Sequence, residues 1–292
     1  MLPLEVMRQV RRIQIRTSRM VNEFLAGQYE SIFKGQGMEF KEVRAYVPGD
    51  DVRSIDWNVT ARTGEPHVKI MAEERELTVM LMVDMSGSGR FGSVNRFKNE
   101  LAAELCAVLA FSAIKNNDKV GLLVFTDRVE LYVPPQKGRK HVLRVIREVL
   151  CHEPAGTDTD IAGALHYLGN VVRRRAVVFL VSDFMDENYL DALRVTNKRH
   201  DVIAVTVTDP REETLPPVGL VSMRDAESGR ELLVNTGDPR LRGAYEEQAR
   251  LDRQARDERL RRARVDAMHV RTDAPYVNEL HRFFAMRERR KR

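Results

Sequence analysis

Five short apolar runs constrain this chain more than any other feature. LTVMLMVD (77–84), VGLLVF (120–125), AVVFLVSD (176–183), DVIAVTVTD (201–209) and DAMHVRTD (266–273) are rich in aliphatic residues and flanked by polar ones. Runs so short and so continuously apolar suit strands covered on both faces. Between them lie stretches with helical spacing, at Asn95–Ala113, His141–Leu150, Ile161–Val172 and Leu190–His200. Strand and helix in alternation predict an α/β fold, a doubly wound and mostly parallel sheet flanked by helices.

Two segments break that rhythm. KVGLLVF and VELYVP are separated only by TDR, which predicts a hairpin and one antiparallel edge strand. VGLVSMRDAESGRELLVNT reads as a second hairpin, turned at Glu227–Gly229, ahead of the last helix and strand. Upstream, Val6, Val10, Ile13, Thr17, Met20 and Phe24 predict an amphipathic helix over about 3–26. Irregular FKGQGMEF and VPGDD and the short extended candidates FKEVRAY and HVKIMAEE come next. The expected division is a small helical and extended N-terminal unit, 1–75, and a larger α/β domain, 76–292.

Composition narrows the function classes. With 43% apolar and 31% charged residues over 292 positions, the chain can bury one sizeable α/β core beside a smaller unit. Cys106 and Cys151 stand far apart, without the spacing of a zinc site or disulfide framework, which fits a reducing cytoplasm. No apolar run approaches the roughly 20 residues of a membrane span, and arginines interrupt the N-terminus where a signal peptide needs an apolar core. The net charge is +5, but residues 239–292 hold 16 Lys and Arg against 9 Asp and Glu, so the remainder carries −2. That excess lies mostly in a helix with Glu246/Arg250, Asp252/Arg256, Asp257/Arg261 and Glu258/Arg262 in the i,i+4 order of a solvated face, which argues against nucleic acid.

In doubly wound sheets, ligands collect beyond the carboxyl ends of the strands. Three separated segments bring polar groups there: Asp84, Ser86 and Ser88 in VDMSGS; Thr157, Asp158, Thr159 and Asp160 in GTDTDIAGAL; and Asp183 in LVSDF. Each alone is also good turn and helix-capping chemistry. Together they offer only oxygen donors, with no histidine or cysteine, which suits Mg²⁺ or Mn²⁺ better than zinc or copper. The DxSxS spacing matters because alternate residues of a loop leaving a strand can point the same way. Ser86 and Ser88 can then face one ion, with Asp84 binding it or holding a ligating water.

These segments resemble the metal-ion-dependent adhesion site (MIDAS) of von Willebrand factor type A domains, whose pattern is DxSxS, a threonine and an aspartate. The resemblance implies Asp84, Ser86, Ser88, a threonine and Asp183 as metal ligands. The TDxxxAL spacing favours Thr159, while the place just after Gly156 favours Thr157, and Thr159 is preferred. Upstream, GQGMEFKEVRAYVPGDDVRSIDWNVTAR is similar to the signature of the bacterial family called domain of unknown function 58, which carries a von Willebrand A-like domain after it. That resemblance implies a non-enzymatic adaptor or assembly protein, working with a MoxR-type AAA+ ATPase in the maturation of client complexes. The partner would supply an acidic residue to the metal. The signature residues Arg44, Tyr46, Asp50, Asp51, Arg53, Asp56, Trp57 and Arg62 fit either a partner-binding face or a buried clamp in which Asp56 pairs with neighbouring arginines and Trp57 packs against the main sheet; the clamp is the favoured expectation.

Hydrolysis is the competing class. Ser86 lacks a GxSxG elbow, no histidine lies in the three edge segments, and neither GxxxxGK[ST] nor GxGxxG occurs. A phosphoesterase with Asp84 as nucleophile would want a second carboxylate where Ser86 stands. The remaining alternative is a metal-dependent nuclease built on Asp56, His67, Glu73 and Glu74.

Overall fold

The apolar runs become the strands of one sheet. The structure, a computed structural model, describes Ile13 and residues 38–73, 76–94, 96–225 and 229–291. The helix expected over 3–26 lies outside these residues except at Ile13, which is helical and buried. The chain divides into two compact units with a boundary between Leu77 and Thr78, and Ile13 belongs with the larger unit rather than with the smaller one in which the expected division at 75 had it.

In the N-terminal unit, β1 (Met38–Ala45) and β2 (His67–Glu73) pair antiparallel, with an irregular register between Phe40 and Glu42. Between them, α1 (Trp57–Thr63) is capped by Asp56 and closed by Gly64 at φ 79°. The signature residues pair locally, but not as the expected clamp, since Asp56 caps α1 and pairs with Lys69 at 3.5 Å instead of with an arginine. Arg44 donates to both carboxylate oxygens of Asp50 at 2.6 and 2.7 Å, and Asp50 also accepts from the Val47 N–H, which fixes the VPGD turn. Hydrogen bonding from Arg44 pulls the Asp50 carboxyl down to about 2. Trp57 departs from the favoured expectation, since it is 67% exposed rather than packed as an anchor.

In the larger unit, β3 (Thr78–Asp84), β4 (Lys119–Phe125), β5 (Val129–Gln136), β6 (Val177–Ser182), β7 (Asp201–Thr208) and β10 (Asp266–Arg271) form a six-stranded sheet in the order β10-β7-β6-β3-β4-β5. All neighbours are parallel except β4 and β5, so the predicted antiparallel edge strand is present. Counted in chain order, these strands run 3-2-1-4-5-6 across the sheet. The order reverses between β3 and β6, which makes their carboxyl ends the switch point where such sheets bind ligands. The second predicted hairpin is also observed, as β8 (Leu220–Arg224) paired with β9 (Glu231–Asn235).

Helices cover both faces: α2 (Lys98–Lys115), α3 (Arg139–Cys151), α4 (Ile161–Val171), α5 (Leu190–Arg199), a single turn α6 (Pro210–Glu213), α7 (Pro239–Arg262) and α8 (Tyr276–Lys291). Alternate residues of β3 serve opposite faces. Met80 and Met82 join Ile161, Leu165, Leu193 and Leu260 in one cluster, beneath α4, α5 and α7. Helix α2 is buried almost all round, from Leu101 to Ala113. It begins three residues later than its apolar pattern suggests, because Glu100 accepts from the Phe97 N–H and ends the preceding loop there. On α7, only Glu258/Arg262 of the four predicted pairs forms, at 2.9 Å; Arg250 turns to Glu247, and Arg256 is buried beside Asp257.

Candidate functional site

The carboxyl ends of β3 and β6 place Asp84 and Asp183 side by side in one cleft, together with Ser86, Ser88, Lys98, Asn99 and Ser182. Asp84 ends its strand and its carboxylate turns back on the next loop. Oδ1 accepts from the Ser86 N–H at 2.9 Å and Oδ2 from the Ser182 hydroxyl at 2.7 Å. A 3₁₀ turn over Gly87–Arg90 then brings the Ser86 and Ser88 hydroxyls to 3.1 Å of each other. Ser88 also bonds Asp183. Two-residue spacing thus does align the serines.

Asp183 is aimed by an unusual backbone. Phe184, which follows it, has φ 59°, a left-handed conformation that costs a bulky residue about 1–2 kcal/mol. Burial of the Phe184 ring against Tyr189, at 5.6 Å between centroids, and a hydrogen bond from its N–H to Ser182 Oγ hold it there.

The loop carrying GTDTD lies against this site through its backbone. The Gly87 N–H donates to the Thr157 carbonyl at 2.8 Å, the Asp160 N–H donates to the Thr126 carbonyl, and Asp160 caps α4. Glu130 accepts from the Ala155 and Gly156 N–H groups and the Thr126 hydroxyl, which secures the loop's start. Neither the Thr157 nor the Thr159 side chain lines the cleft; the Thr157 hydroxyl is exposed, 3.5 Å from Asp158. Asp84, Ser86, Ser88 and Asp183 are therefore brought together, and Thr157 meets their loop through its carbonyl.

Four contributors were not singled out in the sequence: Lys98, Asn99, Ser182 and Glu212. Lys98, the first residue of α2, is 3% exposed and donates to Asp183 at 2.7 Å and to Glu212 at 2.5 Å. Asn99 Oδ1 is buried without a hydrogen-bond partner. A lysine heading an otherwise apolar helix was the one available signal.

The charges settle unequally. Burial, and then the charge of Asp183, push the Asp84 carboxyl up to about 6 against the opposing bonds from Ser182 and Ser86. Burial works the same way on Asp183, but the Lys98 charge and the hydrogen bonds from Lys98 and Ser88 outweigh it and leave this carboxyl below its ordinary range. Burial would strip the Lys98 proton, yet the charges of Asp183 and Glu212 raise its pKa and keep it an ammonium. Asp84 is the carboxylate short of a cation.

The donors fit a hard cation. Oxygens of Asp84, Asp183, Ser86 and Ser88 converge with the unpartnered oxygen of Asn99, and no histidine or cysteine lines the cleft. Two members of the alternative acid and histidine set are otherwise engaged: Asp56 caps α1 and pairs with Lys69 at 3.5 Å, and His67 Nδ1 lies 2.8 Å from the Glu65 carbonyl. Glu74 lies outside the described residues. Among the described residues no three His, Cys, Asp or Glu side chains gather as a metal group, and no helix is long and apolar enough to cross a membrane.

The family described as "Protein of unknown function DUF58" matches residues 42–255. Uncharacterized proteins of Mycobacterium bovis and Mycobacterium tuberculosis are each 35% identical over 285 residues, covering 96% of this chain and 89% of theirs. The crystal structure of an aerotolerance-related membrane protein from Bacteroides fragilis is similar at 17% identity and a TM-score of 0.51, covering 73% of this chain and 99% of that one, a likeness of fold. The sheet order, the covered faces and the switch-point cleft make the larger unit a doubly wound α/β domain, a fold it shares with that protein. With most of its length matched and its signature intact, the chain belongs to the DUF58 family.

Proposed function

We propose that this chain is a non-enzymatic protein-interaction module whose carboxyl-edge cleft holds Mg²⁺ or Mn²⁺ and takes a carboxylate from a protein partner. The observation that carries the reading is the meeting of Asp84, Ser86, Ser88 and Asp183, from two separated loops, at the switch point of the sheet. A divalent ion held there by neutral hydroxyls and few carboxylates supplies residual positive charge to an incoming acid. The two serines would hold the ion from one loop and the two aspartates from either side. The family resemblance would add a threonine, Thr159 in preference to Thr157, as a further ligand.

The family resemblance suggests a MoxR-type AAA+ ATPase, or a client that it remodels, as the partner, and a cytoplasmic setting. The test is capture from native cells with tagged wild type and Asp84→Ala, with and without magnesium. A partner retained by wild type only with magnesium, and never by the variant, supports the reading. Equal retention in all four arms contradicts it.

A further inference from the structure

The cleft already contains a cation of its own. Lys98 is 3% exposed, and its ammonium lies between Asp183 and Glu212. Lysine is almost never buried to this degree unless paired, and the N-terminus of a helix is where the backbone dipole least favours a positive charge. A lysine that needs two carboxylates to be buried at all, and that sits against the helix dipole inside a binding cleft, calls for a role. Nor does local stability call for the cluster, because a buried ion pair taken as a whole is often no more stabilising than apolar residues of the same volume.

Glu212 is not a random neighbour. Its Oε2 accepts from the Asp209 N–H at 2.9 Å in the capping box of α6, which leaves Oε1 for Lys98. Asp209 is in turn fixed by Ser93 and Thr272, so Glu212 stands on a braced turn. Lys98 therefore has one carboxylate inside the metal-binding group and one outside it.

We propose that Lys98 is a tethered competitor for the divalent ion: it neutralises Asp183 while the site is metal-free and withdraws onto Glu212 when a metal binds. The inference rests on the metal-site reading above and adds what sets its affinity. An ammonium beside Asp183 repels a second cation through a low-dielectric interior, so the metal must displace it. The metal affinity is thereby held down, and Glu212 determines how far down.

Mn²⁺ titration of the full chain, followed by electron paramagnetic resonance of the free ion, tests this with Lys98→Met and Glu212→Gln. Lys98→Met should bind Mn²⁺ at least about tenfold more tightly than wild type. Glu212→Gln should bind it more weakly, because Lys98 then has only Asp183. Opposite shifts separate competition from a packing role, which would weaken both variants. If wild type binds and Lys98→Met binds no more tightly, competition is wrong while the metal site stands. Binding by Lys98→Met alone supports competition and removes the metal-dependent reading for wild type. No binding by wild type or Lys98→Met overturns both. Should Lys98→Met fail to fold, Glu212→Gln decides alone: unchanged or tighter binding refutes the proposal.

Discussion

Asp84 carries the most direct consequences at the scale of a residue. Its carboxyl sits at about 6 in the folded chain against an ordinary value of 3.8. Between those values the folded state holds the extra proton, so stability is present below the ordinary value and declines as pH rises through 6. The metal-free protein at neutral pH then bears a cost on the order of 3 kcal/mol. Asp84→Asn should raise the melting temperature in EDTA at pH 7.5 by a few degrees, and calorimetry at pH 4.5 should show the gain shrinking. A fall at pH 7.5 would contradict this. His200 titrates in the opposite sense. Burial first, then Arg199 and Arg175, lower its pKa from 6.5 to about 4, and its Nδ1 accepts from the Ala176 N–H. The stability from keeping it neutral is present above 6.5 and lost as pH falls through 4. Chemical denaturation of His200→Gln should show a shallower loss of stability over that window than wild type.

Among the elements, the loops matter more than the strands for function. Gly156 starts the GTDTD loop where an added Cβ would come within 2.0 Å of Asp127 Oδ1 and 2.4 Å of Thr126 Oγ1. Gly156→Ala should therefore leave the circular dichroism spectrum intact while weakening Mn²⁺ binding, through displacement of the loop that braces Gly87. Strand β3 makes the contrasting case. Leu81 is wholly buried, and Leu81→Ala should cost about 2–5 kcal/mol in urea unfolding, without a specific effect on the site. The strands were legible because burial on both faces leaves an uninterrupted apolar run, and the helices because their apolar faces repeat. The start of α2 was not, since a capping bond from Phe97 to Glu100 is invisible to periodicity. Asp84, Ser86, Ser88 and Asp183 could be read as a group because local spacing and the strand-end rule both point to them. Lys98 and Glu212 could not: they meet through folding across 114 positions, and nothing near either marks the pair.

For the whole molecule, the sheet order is the organising fact. Strands β3 and β6, far apart in sequence, become neighbours with their carboxyl ends adjacent, and each delivers one aspartate to the same cleft. The N-terminal signature was legible as a family mark but not as a structure. Its Arg44 and Asp50 lock a turn, while Trp57, at the start of α1, stays 67% exposed, and neither outcome follows from residue type or spacing. The central claim is that the carboxyl-edge oxygens bind a hard divalent cation. Isothermal titration of the full chain with MgCl₂ at pH 7.5 tests it most directly, beside Asp84→Asn and a repeat at pH 5. One saturable site in wild type, weakened at pH 5 and absent from the variant, is the predicted result; no binding, or equal binding by wild type and variant, would contradict it.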